Sequence, residues 1–276
     1  MYRRVIVVIA DGLRPDVVMP GRMPTLAAIG ADYTKAVSAT TVRPSATVAA
    51  LTSLATGVRP ETHGLIEPGL GFLAGIHTLE PLARQLGRHG HGTAVVASEL
   101  GFAERQVVWA LAKSAGVSEI VAHGRTGRET ACAARERLAR LESGLLLVYL
   151  PDCDEAGHRD GWMSDAYLEA AGRVDAAIGE IAGTVARDLL LVLSDHGGGG
   201  VEPRDHNAIH PLNERIPMVL AGPLVRRRHR IRRPVSLLDV PATVLWALGV
   251  EVPASYEGRI LEDAFLIAEP LPEHPR

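Results

Sequence analysis

Three runs in this chain, Val5–Ala10 (VIVVIA), Gly144–Leu150 (GLLLVYL) and Leu189–Leu193 (LLLVL), are apolar without interruption. They are too short to span a bilayer, and continuous apolar runs of this length predict strands buried on both faces of a parallel sheet. Further strands are expected over Thr93–Ala97 and Ile216–Ala221. Helical patterns alternate with them: Met23–Gly30 with Pro24 in its first turn, Leu79–Leu86, Arg128–Leu141, and Ser236–Leu248. A long helix capped by Ser164 repeats Tyr167, Ala171, Val174, Ile178, Ile181 and Val185 at helical spacing. Strands alternating with helices imply an α/β fold with a mainly parallel central sheet and helices on both faces. With 276 residues, 47% of them hydrophobic, one domain over residues 1–276 is expected.

Each apolar run ends in acidic residues: Asp11, the Asp152/Asp154 pair, and Asp195. Ligands of open α/β sheets bind beyond the carboxyl ends of strands, so these positions are placed where chemistry happens. One Asp at a strand end is often only a cap or turn former. Here two of the three are followed by histidine, in Asp154-Glu155-Ala156-Gly157-His158 and in Asp195-His196. Carboxylate with imidazole, and no thiolate, suits zinc or a similar first-row metal rather than a structural cysteine site. The run Gly197–Gly200 reads either as a tight turn that packs close to such ions or as a flexible loop.

The stretch Thr40–Gly64 reads as a turn, a short helix from about Val48, and a second turn at Gly57-Val58-Arg59-Pro60. Thr47 stands at the helix start, where it can cap the first turn. The same helix end offers backbone donors to an anion, so a phosphoryl group could dock there against a hydroxyl nucleophile. His63 is read as ordering the following turn, and Trp162 as either a pocket wall or core. Gly64–Gly75 looks irregular, and Gln106–Ala122 carries no clear pattern.

A net charge of −3 gives no global attraction to nucleic acid or to an anionic membrane. The run from Arg226 to Arg233 is the sharpest local charge; without interleaved aromatics it is read as a solvated surface loop rather than a polyanion site. Cys132 and Cys153 form no disulfide framework and no zinc spacing, as in a reducing compartment. No membrane-length segment or signal sequence is read, so a cytoplasmic location is expected. The oligomeric state is left open.

IADGLRP near the start, a Thr before a helix ending in TGVRPETHG, DEAGH and SDHGG after buried strands, and a late SLLDVPATVLWALG together resemble the alkaline phosphatase superfamily. The nearest branch is the type I phosphodiesterase and nucleotide pyrophosphatase group. The resemblance implies two divalent metal ions, zinc or else manganese. One would be held by Asp11, Asp195 and His196 with the Thr47 hydroxyl. The other would be held by Asp154, His158 and His206, with His210 as rival to His206. Asp154 is preferred to Asp152 because the family sets this carboxylate four residues before the histidine. Two such ions about 4 Å apart can clamp the oxygens of an in-line displacement, with Thr47 forming a phospho-threonine. The implied substrate is a small soluble phosphodiester or pyrophosphate, with nucleotides among the candidates.

Two departures from the family pattern narrow this. Nucleotide pyrophosphatases carry an Asn donor just past the helix, where this chain reads Leu65-Ile66-Glu67-Pro68, so Arg43 or backbone amides are the expected replacement. Sulfatases need a CxPxR-like context, which is missing, and this weighs against sulfate monoesters. A phosphonate hydrolase or phosphomutase of the same superfamily is the neighbouring expectation. Outside the enzymes, the alternative is a non-catalytic metal-binding scaffold acting through partner contacts.

Overall fold

The computed structural model describes residues 1–66, 79–98, 112–122, 126–185 and 187–266. Its strands are β1 (Arg4–Ala10), β2 (Thr34–Ala36), β3 (Ala39–Thr40), β4 (Gly92–Ala97), β5 (Glu119–Ala122), β6 (Gly144–Leu150), β7 (Leu189–Leu193), β8 (Arg215–Ile216), β9 (Met218–Ala221), β10 (His229–Ile231) and β11 (Val235–Ser236). Its helices include α1 (Pro24–Asp32), α2 (Thr47–Thr56), α3 (Pro60–His63), α4 (Leu82–Arg88), α5 (Gly127–Arg140), α6 (Asp152–Asp160), α7 (Asp165–Ala182), α8 (Pro211–Glu214) and α9 (Asp239–Ala247).

Eight strands form one sheet in the order β10-β2-β9-β7-β1-β6-β4-β5. The five from β7 to β5 run parallel, and β9 pairs antiparallel with β7. The three apolar runs of the sequence are the adjacent central strands β7, β1 and β6. Alternation of side chains decides which core each residue joins. Ile6, Val8 and Ala10 meet α1, α5 and α7 on one face, through Leu26, Leu138, Val174 and Ile178. Val5, Val7 and Ile9 meet α2, α4 and α9 on the other, through Leu54, Leu86 and Val244. Both faces are therefore covered, which explains runs with no polar interruption.

Several local expectations shift. The run Ile216–Ala221 is two strands broken at Pro217: β8 pairs with β3 in a small second sheet, and β9 joins the main one. Pro has no N–H to donate to a ladder, so it marks the change of sheet. Ser236 belongs to β11, and the closing helix starts only at Asp239. The arginine run is not a plain loop, because it contains β10. Residues 67–78 and 99–111, which hold most of Gly64–Gly75 and the start of Gln106–Ala122, lie outside the described residues; the end of the latter forms β5. The N-terminus of α1 is capped from afar, since both Asp175 carboxylate oxygens accept from the Thr25 and Leu26 N–H groups at 2.9 and 2.8 Å.

Candidate metal centre

The carboxyl ends of β1, β6 and β7 deliver Asp11, Asp154 and the Asp195-His196 pair to one place. Asp11 directly follows β1, Asp154 lies in the first turn of α6 just beyond β6, and Asp195 is separated from β7 by Ser194. Because these strands are neighbours, residues far apart in sequence converge. Gly12 lets the chain turn away at a φ of +67°, and a Cβ there would lie 2.8 Å from the Asp154 Cα.

Asp11, Asp195 and His196 form one cluster of ligand-type atoms, and Asp154, His196 and His206 form another. His196 Nε2 is 3.2 Å from Asp11 Oδ1, 3.6 Å from Asp195 Oδ2 and 4.0 Å from Asp154 Oδ1. His158 joins through Asp154, its Nε2 lying 3.4 Å from Oδ1, while His206 Nε2 is 3.8 Å from the same oxygen. Among the described residues, the buried oxygens Asp11 Oδ1, Asp154 Oδ1 and Asp195 Oδ2 accept no hydrogen bond. Orphaned buried acceptors carry a large desolvation cost, and here they gather around imidazole nitrogens. A divalent cation fits this donor set.

The histidines are held in the tautomer that such a site needs. Nδ1 of His196 is 2.8 Å from the Gly197 carbonyl, Nδ1 of His158 is 2.9 Å from that of Arg204, and Nδ1 of His206 is 2.6 Å from that of Ser45. A carbonyl only accepts, so each Nδ1 carries a proton and each ring turns its Nε2 toward the carboxylates, the nitrogen that a cation would take. His210 is different. Its Nδ1 accepts from the Leu212 N–H at 3.1 Å and caps α8, which places the proton on the other nitrogen. His63 likewise accepts from the Leu65 N–H at 3.0 Å and contacts Ser53, ordering the turn.

Thr47 does not cap its helix. Ala46 is the N-cap residue, Thr47 is the first residue of α2, and no side chain caps that end. Its Oγ1 instead lies 3.0 Å from His196 Nε2. The hydroxyl thus faces the cluster at a helix N-terminus. Arg43, the expected replacement phosphate donor, turns away: its guanidinium reaches both Glu214 oxygens at 2.8 and 2.9 Å on the surface.

Without a cation the cluster holds protons. Burial lowers the His196 pKa, but Asp195 and Asp11 outweigh it and raise the value to about 10. Burial, then the charge of Asp11, pushes Asp154 up to about 7, and the same causes raise Asp195. Burial would raise Asp11, but the neighbouring His196 outweighs it and holds the carboxyl low. Burial and the His196 charge bring His206 down to about 4.

Two supporting residues, Tyr149 and Ser45, escape sequence reasoning, and a third, Trp162, reads from the sequence as either a pocket wall or core. The Tyr149 hydroxyl donates to Asp11 Oδ2. Its signal was the one polar tip in GLLLVYL. The Ser45 hydroxyl donates to the His206 carbonyl at 2.6 Å, answering the bond in the other direction and joining the Thr47 turn to the His206 loop. Trp162 is buried, donates to the Gly12 carbonyl at 2.9 Å, and packs edge-on to His158 and His206. It is a floor beneath the histidines. The glycine run is no loose loop either, since a Cβ on Gly198 would lie 2.0 Å from the Trp162 ring.

The sequence pattern of the family described as type I phosphodiesterase / nucleotide pyrophosphatase matches residues 5–73 and 76–241. The chain belongs to this family. As a type I phosphodiesterase-family protein it is a hydrolase of the alkaline phosphatase superfamily, whose members use divalent metal ions. Murine ectonucleotide pyrophosphatase/phosphodiesterase 5 shares its fold at a TM-score of 0.74 and 15% identity, over 95% of this chain and 100% of that one. A phosphonate monoester hydrolase from Silicibacter pomeroyi superposes at 0.69 with 16% identity, over 94% and 75%. Arylsulfatase K of Xenopus laevis is 28% identical over 100 residues, 33% of this chain and 19% of that protein. The matched stretch thus spans about a fifth of that relative's length.

Proposed function

We propose that this phosphodiesterase-family chain hydrolyses phosphodiester or pyrophosphate bonds of a small soluble substrate, nucleotides among the candidates, through a phospho-threonine on Thr47. The observation that carries this reading is the Thr47 hydroxyl, 3.0 Å from His196 Nε2 at the start of a ten-residue helix and facing orphaned carboxylate oxygens. Asp11, Asp195 and His196, with Thr47, would hold one divalent ion; Asp154, His158 and His206 would hold a second. Zinc, or manganese in its place, would lower the pKa of the hydroxyl and neutralise charge on the phosphoryl group. Thr47 Oγ1 then forms the bond to phosphorus as the leaving oxygen departs. Backbone N–H groups at the start of α2 face a non-bridging oxygen, the role for which Arg43 is unsuited. A second hydrolytic step regenerates the hydroxyl.

The reading takes the chain as one catalytic domain and keeps the cytoplasmic expectation, supported by two free cysteines. Among the described residues no helix is long and apolar enough to cross a membrane. The second reading is a phosphonate hydrolase or phosphomutase, favoured by the missing Asn donor at Leu65-Ile66. Threonine at the nucleophile position weighs against the sulfatase activity named for the arylsulfatase K relative.

The test is hydrolysis of bis-p-nitrophenyl phosphate beside p-nitrophenyl phosphate, using metal-stripped protein with zinc or manganese restored. Metal-dependent turnover lost in Thr47→Ala protein that still binds metal is expected, with the diester preferred. Turnover that survives Thr47→Ala would sink the mechanism. Metal binding without turnover on any phosphoester would favour the scaffold alternative.

A further inference from the structure

The arginine run has two populations. Arg226 donates to the Phe265 carbonyl, Arg227 lies over the Tyr33 ring at 4.0 Å, and Arg233 pairs with Asp239 and Asp263. These three hold the sheet edge together. Arg228, Arg230 and Arg232 make no ion pair among the described residues and are exposed. Arg230 lies within β10 between the half-buried His229 and the fully buried Ile231, and Arg228 and Arg232 flank the strand at its two ends. Three like charges within five residues repel one another. Arg228 is moreover fixed at a φ of 52°, a conformation rare for a side-chain-bearing residue, with its N–H bonded to the Asp32 carbonyl.

Arg228, His229, Arg230, Arg232, Arg233 and Asp263 line a shallow, open depression of about 550 Å³. Four guanidinium groups face one carboxylate. The His229 Nε2 beneath them is buried without a hydrogen-bond partner. Because β10 is separated from β7 by β2 and β9, the depression lies about three strand spacings, roughly 14 Å, from the strand that carries Asp195. It is a different site from the metal centre.

We propose that this depression on the outer edge of β10 binds a compact polyphosphate anion. Guanidinium groups recognise phosphate oxygens in bidentate pairs, and several charges on one ligand are needed to offset repulsion among several arginines. The absence of aromatic stacking partners in the lining and the shortness of the strand favour a compact ligand over a nucleic-acid strand. The competing reason for charge on an edge strand is protection against edge-to-edge association.

The experiment is isothermal titration of inorganic tripolyphosphate into metal-loaded Thr47→Ala full chain, which does not consume the ligand. The same titration is run with Arg230→Gln and Arg232→Gln added, and with sodium chloride at matched ionic strength. Loss of one binding event, or at least a tenfold weaker one, in the arginine variant is expected, with the chloride control showing no such event. Diester hydrolysis by the same arginine substitutions in a Thr47 background should be unchanged. Identical isotherms for the two proteins would overturn the proposal, as would an arginine variant that only gains self-association in sedimentation. A single-stranded oligonucleotide competing better than tripolyphosphate would also overturn the assignment of a compact ligand.

Discussion

Tyr149 and His196 show how single residues set the state of the centre. Tyr149 engages Asp11 Oδ2 and leaves Oδ1 facing His196, so it orients a carboxylate that would hold metal. Burial and the charge of Asp11 push its own pKa well up, and the phenol stays a donor at any working pH. Tyr149→Phe should weaken metal affinity about tenfold, the lower end for loss of a partner to a ligand, as read by chelator competition. The fold should persist, with unchanged circular dichroism. His196 gives a pH dependence. Its pKa in the metal-free fold is raised from 6.5 to about 10, so the stability it contributes is complete below about 6.5 and is lost as pH rises through 10. Asp154, raised from 3.8 to about 7, acts in the same direction at lower pH. His206, lowered from 6.5 to about 4, acts in the opposite direction but only below about 6.5. Metal-free protein should therefore melt at a lower temperature at pH 9 than at pH 6.5. Zinc-loaded protein should gain relative to it over the same range, because metal binding displaces those protons.

At the scale of elements, two contacts join parts that are remote in sequence. Asp175 in α7 caps α1, and Asp175→Ala should cost about 1–2 kcal/mol in urea denaturation by leaving one buried and one half-buried N–H group without acceptors. Gly198 lies against Trp162. Gly198→Ala forces that ring to move and should cost roughly 1–3 kcal/mol. The ring supports His158 and His206, so metal affinity should fall with it; full affinity in Gly198→Ala protein would refute the role of Trp162 as a floor. The long elements were legible because their signal is local: β1, β6, β7 and the Ser164-capped α7 lie where periodicity placed them. The short strands β2, β3, β8, β10 and β11 were not, since two or three residues carry no period and exist only through partners elsewhere in the chain.

For the whole molecule, the three central parallel strands make the centre a property of the sheet. Their carboxyl ends bring buried carboxylates together at an electrostatic cost that a bound cation would relieve. Chelation should accordingly lower the melting temperature. At a free zinc concentration a hundredfold above the dissociation constant, binding to the folded state alone stabilises it by about 2.7 kcal/mol. Equal melting curves with and without chelator would contradict a metal centre. The sequence by itself determined the α/β architecture, the three central strands and the acidic residues at their ends, because burial on both faces is written in continuous apolar runs. Only the tertiary structure set His206 beside Asp154 and His210 at the start of α8, turned Arg43 onto Glu214, brought Tyr149 to Asp11 and released Thr47 from capping. The physical reason is that a ring nitrogen or a hydroxyl takes its role from the atom opposite it, and that atom comes from another part of the chain.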